Sequence, residues 1–292
     1  IERLAADTPR QIANAHTVFN IANTFLFIWF TTPMAWLVTR ILPDREETAP
    51  ETVRPKYLDP ILLQTPSLAM DVVRMELGRL GTAALHMMRD AFETVIGGSG
   101  LQISELESMD NKIDALHGAI ITYLARLSRE NLSDHQSVQL HDYLAAANYI
   151  ESIGDMIETN LVSAGRARLK ANLRVSPSTN ELLGALNKKV VWATERSIRA
   201  LVSNDQQIAR EVAAAKDEIN RLAAAAEVQL SRRLAANEPN RLATFRLESE
   251  IMEYLKRMYY FAKRIAKLVA DQDTAVTAAA DESQAKPEEA AV

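Results

Sequence analysis

Ser104–Glu130 reads SELESMDNKIDALHGAIITYLARLSRE. Leu106, Met109, Ile113, Leu116, Ile120, Tyr123 and Leu127 recur there at alternating spacings of three and four. That is the period of a helix burying one stripe against other helices. An isolated helix cannot cover such a stripe, so the stretch predicts a bundle. Ser104 and Glu107 stand at capping-box spacing and would open the helix.

Working outward, five more long helices are predicted after Pro66, and no strand. The first runs over Ser67–Ile96, opened by Thr65-Pro66 and stopped by Gly97, Gly98 and Gly100. After the second, at Ser104–Glu130, the third runs from Ser133 or Asp134 to about Leu173. The fourth follows Ser176-Pro177 and ends near Asn204. The fifth covers Asp205–Ala236, and the sixth runs from about Pro239 to about Ala270. A shift of 106 residues lays the second helix on the fifth, with Ile113 on Ile219, Leu116 on Leu222 and Leu124 on Leu230. A shift of 105 lays the third on the sixth, with Ile150 on Leu255 and Ile153 on Met258. The fold class is therefore all-α, with a three-helix unit used twice over 67–270. Residues 271–292 are rich in Ala, Glu and Asp without a periodic apolar face, and a disordered tail is expected.

Upstream the chain changes character. From Val18 to Leu42 only Arg40 is charged. As one helix this run would be roughly 37 Å long, against a hydrocarbon core of about 30 Å. A single transmembrane helix is expected, and 1–42 is read as the C-terminal membrane segment of a larger polytopic protein. His16, Asn20, Asn23, Thr24 and Thr31 fall near one helical face. Lipid cannot satisfy such groups, so the face should meet protein or a water-lined path. The basic residues Arg40, Arg45, Arg54 and Lys56 after the run favour a cytoplasmic helical domain. Pro43, Pro50, Pro55, Pro60 and Pro66 make 43–66 a proline-rich linker of extended backbone.

The polar signal of the helical part is two carboxylate stripes. Glu107, Asp110 and Asp114 stack on the second helix, with His117 next. Asn148, Glu151, Asp155 and Glu158 stack on the third. Like charges at these spacings cost a few tenths of a kcal/mol per pair, which a cation, basic side chains or solvation can offset. Asp110, Asp114, Glu151 and Asp155 are the candidate cation ligands, and oxygen donors suit Mg²⁺, Ca²⁺, Mn²⁺ or iron. The repeat loses them. Lys216 and Asn220 replace Asp110 and Asp114, and Lys256 and Tyr260 replace Glu151 and Asp155.

Composition narrows the function classes. The net charge of −5 argues against nucleic-acid binding. No cysteine is present, which removes disulfides, thiolate zinc sites and cysteine nucleophiles. Gly97-Gly98-Ser99-Gly100 lacks the Lys-Ser/Thr of a phosphate-cradling loop. No HExxH sequence occurs, and no Ser-His-Asp set can be placed, so the chain is read as not an enzyme.

Two resemblances supply a function. RQIANAHTVFN, with Ala15, His16, Thr17, Phe19 and Asn20, resembles the opening of a late membrane helix in bacterial sodium/phosphate cotransporters. NYIESIGD, Asn148–Asp155, resembles the repeated motif of PhoU-like phosphate-regulatory proteins. The latter implies two three-helix bundles with acidic motifs associated with metal sites. Together they imply sodium-dependent phosphate transport regulated by a cytoplasmic PhoU-like domain in the inner (plasma) membrane. The expected partners are inorganic phosphate, sodium as the coupling ion, upstream membrane helices and a further copy of the chain. His16, Thr17, Asn20 and Asn23 would lie on the transport pathway. A hard divalent cation or iron would occupy the first repeat. The alternatives are a membrane-anchored signalling adaptor that transports nothing and a metal-dependent carboxylate-bundle enzyme.

Overall fold

The computed structural model describes residues 8–28, 30–31, 33–34, 53–235 and 240–270. The chain divides into two units, 1–52 and 53–292. The first contains helix α1, Thr8–Ile28. This differs from the single apolar span predicted at 18–42. The helix starts ten residues earlier, so nearly half of it is the polar stretch TPRQIANAHT. Its apolar remainder, 18–28, would extend about 16 Å at 1.5 Å per residue, and a membrane core is about 30 Å. Among the described residues no helix is long and apolar enough to cross a membrane. Residues 29, 32 and 35–42 of the predicted span, part of the proline-rich linker and the 271–292 tail lie outside the described residues.

The second unit is built from helices whose ends are set by local chemistry. Pro66, which needs no amide hydrogen at a first turn, opens α2, Pro66–Gly97. Ser99 and Gln102 cap one another's backbone at the start of α3, Gly100–Ser108. The capping box thus sits five residues before the predicted Ser104–Glu107 pair. The predicted second helix also breaks at Met109 and resumes as α4, Asp110–Leu127. A second box, Ser133 with Gln136, opens α5, Asp134–Asp155. A π-helical segment, Met156–Leu161, follows and leads into α6, Val162–Lys170.

The second half repeats the plan. Ser176 caps α7, Pro177–Ser203, and Asn204 ends it in the left-handed conformation with φ 52°. Asp205 caps α8, Gln206–Ala214. A break at Ala215 separates it from α9, Lys216–Leu234. This break lies 106 residues after the one at Met109, the shift read from the apolar pattern. The last helix, α10, covers Arg241–Ala270 without a π segment.

In the first bundle α2 packs against α4 and α5, and in the second α10 packs against α7, α8 and α9. The bundles join where α2 meets α7 and α5 meets α10. The predicted seam is the core: Leu106, Ile113, Leu116, Ile120 and Leu127 are at most 2% exposed, and Tyr123 is 5% exposed. Gly81 permits the α2–α7 approach, since a Cβ there would lie 2.7 Å from Ile198 Cγ2.

Residues from Val53 onward fold onto this unit, so the second half of the proline-rich stretch is a strap on the bundle. Val53, Leu58 and Leu63 pack against the core. The amides of Lys56 and Tyr57 donate to Glu76 Oε2 at 3.0 and 2.9 Å. Glu76 is fully buried and also pairs with Arg79. The Tyr123 hydroxyl donates to Asp59 O at 2.9 Å. Glu76→Ala should cost about 2–4 kcal/mol, because it removes the acceptor of several charge-assisted bonds. Hydrogen exchange should show the amides of Lys56 and Tyr57 losing protection. Unchanged protection would show that Glu76 does not fasten the strap.

Candidate metal centre

Asp110 is the first residue of α4 and faces α5 at Gly154. A Cβ at Gly154 would lie 2.6 Å from Asp110 Oδ1 and 2.9 Å from Ile113 Cδ1. Glycine therefore makes the space in which this carboxyl sits. Asp110 is 5% exposed, and its Oδ1 has no hydrogen-bond partner. Asp114, one turn along α4, and Asp155, at the end of α5, are exposed. One carboxylate oxygen from each of Asp110, Asp114 and Asp155 lies within 4.8 Å of the others. The site is a three-carboxylate mouth with one buried, unpartnered oxygen at its base.

Electrostatics follow from that geometry. Burial first, then Asp114, Glu158, Asp155 and Glu151, push the Asp110 pKa up from 3.8 to about 7. Burial also raises the Glu151 pKa, with Asp155 adding to it and His117 opposing it. The site thus repels its own charge and offers only oxygen donors. That donor set fits a hard cation, and the orphaned oxygen of Asp110 is where one would be satisfied.

The four predicted ligands divide. Asp110, Asp114 and Asp155 converge, whereas Glu151 is half-buried one turn before Asp155 on the flank. Glu158 was not among the sequence candidates for ligation, yet it acts on Asp110 from inside the π segment. Its place in the acidic stripe was the available signal. Glu107, in the stripe but not among the predicted ligands, is ion-paired with Arg166. His117 Nε2 and Asn148 Oδ1, 2.9 Å apart, tie α4 to α5 beside the acids.

In the N-terminal unit the predicted pathway residues share helix α1. Asn20 Nδ2 lies 3.0 Å from His16 Nδ1, so this polar pair is on one face as expected. The Thr24 hydroxyl donates to Asn20 O at 2.8 Å. His16, Thr17 and Asn20 are exposed, and Asn23 is half-buried.

Comparison with known proteins converges on one family. The PhoU domain family matches residues 77–160 and 186–269, one segment in each bundle. The chain is 26% identical over 257 residues to the "Putative inorganic phosphate export protein YjbB" of Escherichia coli (strain K12), covering 88% of this chain and 47% of that protein. The Salmonella typhimurium protein of the same name is 25% identical over 272 residues, covering 93% of this chain and 50% of that one. The chain spans about half the length of these curated relatives. The crystal structure of PhoU from Pseudomonas aeruginosa matches with a TM-score of 0.64 at 18% identity, covering 70% of this chain and 96% of that one. The phosphate transport system regulatory protein PhoU from Streptococcus pneumoniae matches with a TM-score of 0.64 at 16% identity, covering 72% and 98%. These structures share the fold.

A raised carboxyl pKa has a stability consequence. Between the ordinary value of 3.8 and about 7, the folded protein holds a proton on Asp110 that the unfolded chain has released. Folding stability from this group therefore falls as pH rises through that window and levels off above it. In metal-free protein the loss should be about 1–3 kcal/mol, less than the full shift implies at 1.36 kcal/mol per unit, because the neighbouring acids are solvated. Asp110→Asn should remove this slope, as measured by urea unfolding between pH 5 and pH 8. An unchanged slope would mean that Asp110 is ionised throughout.

Proposed function

This chain belongs to the PhoU domain family, and from that premise we propose that its paired bundles regulate the movement of inorganic phosphate across a membrane. The observation that carries the reading is the coincidence of both family-matched segments with the two bundles, in a chain similar over most of its length to proteins named for phosphate export. The role is regulatory and not catalytic. The N-terminal unit would belong to the membrane part of the carrier. Its support is the exposed apolar side chains of α1, including Phe19, Phe25, Leu26 and Phe27, beside the polar pair His16 and Asn20. The resemblance of RQIANAHTVFN to cotransporter sequences supports sodium as the coupling ion, with His16, Thr17, Asn20 and Asn23 along the pathway. On this reading the helical unit lies on the cytoplasmic side.

A hard divalent cation or iron would be held by Asp110, Asp114 and Asp155, with Glu151 and Glu158 on its flanks. When bound, it would supply the positive charge that this set of acids lacks. The residues' own part is to hold α4 and α5 in one spacing. Occupancy would then favour one arrangement of the first bundle.

Two measurements test the reading. A cation that stabilises the parent protein by mass action should leave the melting temperature of the Asp110→Asn, Asp155→Asn double variant unmoved. Introduced at the native locus, the same pair should change phosphate flux several-fold at unchanged protein level. Replacing sodium by potassium should reduce flux in the parent. His16→Ala and Asn20→Ala should do so with sodium present. Flux that is indifferent to the double variant would contradict regulation through this site. Flux that is indifferent to sodium would remove sodium coupling.

A further inference from the structure

The five acids of the first bundle have counterparts in the second. The shift of 106 residues carries Asp110 and Asp114 onto Lys216 and Asn220. The shift of 105 carries Glu151, Asp155 and Glu158 onto Lys256, Tyr260 and Lys263. Burial supports both registers. The helix breaks at Met109 and Ala215 coincide under the first shift, and under the second Ile150, Ile153 and Ile157 fall on Leu255, Met258 and Ala262, all buried. Each carboxylate, which can only accept, is exchanged for a side chain that can donate: three ammonium groups, an amide and a phenol. Donors stand at all five positions, a chemistry that suits an anion rather than a cation.

The surroundings reinforce this. Lys216 is the first residue of α9, a helix of 19 residues whose N-cap, Ala215, makes no side-chain capping bond. Its first turn also carries Asp217 and Glu218, and Glu218 is drawn off by an ion pair with Lys189 at 2.6 Å. Lys267 continues the stripe one turn beyond Lys263. Among the described residues, Lys216, Lys263 and Lys267 make no ion pair, while Lys256 is paired with Glu253 at 2.7 Å. The Arg264 guanidinium lies on the Tyr149 hydroxyl, at 3.0 and 2.9 Å, at the edge of the face. Burial, then Lys216, Lys267 and Arg264, hold the Lys263 pKa below the ordinary lysine value. These like charges are therefore close enough to repel, and an anion would relieve them. The nearest acid in sequence, Asp217, acts on Tyr259.

We propose that this face of the second bundle binds a phosphate-bearing anion, with Lys216, Lys263 and Lys267 neutralising it and Asn220 and Tyr260 donating hydrogen bonds to its oxygens. Inorganic phosphate and the headgroup of an anionic phospholipid share that chemistry. The inference goes beyond the regulatory reading and uses no residue of the cation site. The two bundles would then sense opposite charges through one backbone plan.

The test uses the full chain, stripped of metal over a chelating resin so that phosphate cannot bind through a cation. Equilibrium dialysis measures radiolabelled inorganic phosphate. Flotation measures binding to vesicles of phosphatidylglycerol with phosphatidylcholine against phosphatidylcholine alone. Saturable binding is expected in one arm, and that arm identifies the source of the phosphate group. Lys216→Gln with Lys263→Gln should weaken it at least about tenfold, since charge-assisted bonds to the anion are lost. Lys170→Gln, an exposed lysine on α6, should leave it unchanged. Circular dichroism would confirm that the double variant is folded. Binding in neither arm, or binding that survives the double substitution, would overturn the proposal. Neither outcome bears on the cation measurement, which reads the first bundle.

Discussion

A carboxyl group packed against a glycine backbone, with no donor to satisfy it, is the constraint around which the first bundle is organised. Gly154 lets α5 come close enough to α4 that the Asp110 carboxyl is enclosed. Burying an unpaired carboxylate is costly, so such a group either takes a proton or finds a positive partner. The charged groups that act on it are all acids, which makes the second solution depend on something other than these neighbours. The π segment begins directly after Asp155, and such segments are frequent at functional sites because they re-space side chains in an otherwise regular helix. Here it carries Glu158 beside Asp110, whereas the matching α10 of the second bundle is regular α-helix throughout.

The second bundle shows what the fold requires and what it leaves free. The breaks at Met109 and Ala215, the paired apolar seams and the caps at Ser99 and Asp205 belong to the architecture. The residues one position beyond the seam do not, and there the charge has reversed. A buried polar network of a different kind holds the second bundle together. Glu248, fully buried, accepts from Arg241 at 2.7 Å with Arg233 at 3.6 Å. The two halves have therefore kept a common core while diverging in what their faces can bind.

Much of this was legible in the sequence because apolar spacing of three and four is decided by core burial, which dominates helix packing. The seam from Leu106 to Leu127 and the repeat followed from it, and the PhoU likeness came from the motif Asn148–Asp155. Local hydrogen bonding was less legible. Ser99-Gly-Leu-Gln carries a capping signature, but it is embedded in glycines that equally mark the end of α2. Met109 fits the seam, so nothing in its apolar character announced a break. The π segment is made of ordinary helix residues. Tertiary contacts were invisible: the Arg166 partner of Glu107, the Gly154 cradle and the Glu76 anchor join residues 19 to 59 positions apart. At the N-terminus, the polar face with His16 and Asn20 was legible, and the described helix takes in Thr8–Thr17 as well as Val18–Ile28.

The central claim is that the Asp110 carboxyl is the base of a cation site. Anomalous diffraction from crystals grown with Mn²⁺ tests it most directly. The account predicts an anomalous peak at metal–oxygen bonding distance from carboxylates of Asp110, Asp114 and Asp155, and none at Lys216 and Asn220 in the second bundle. Mn²⁺ bound only elsewhere on the surface, with the Asp110 carboxyl still without a partner at saturating metal, would contradict it.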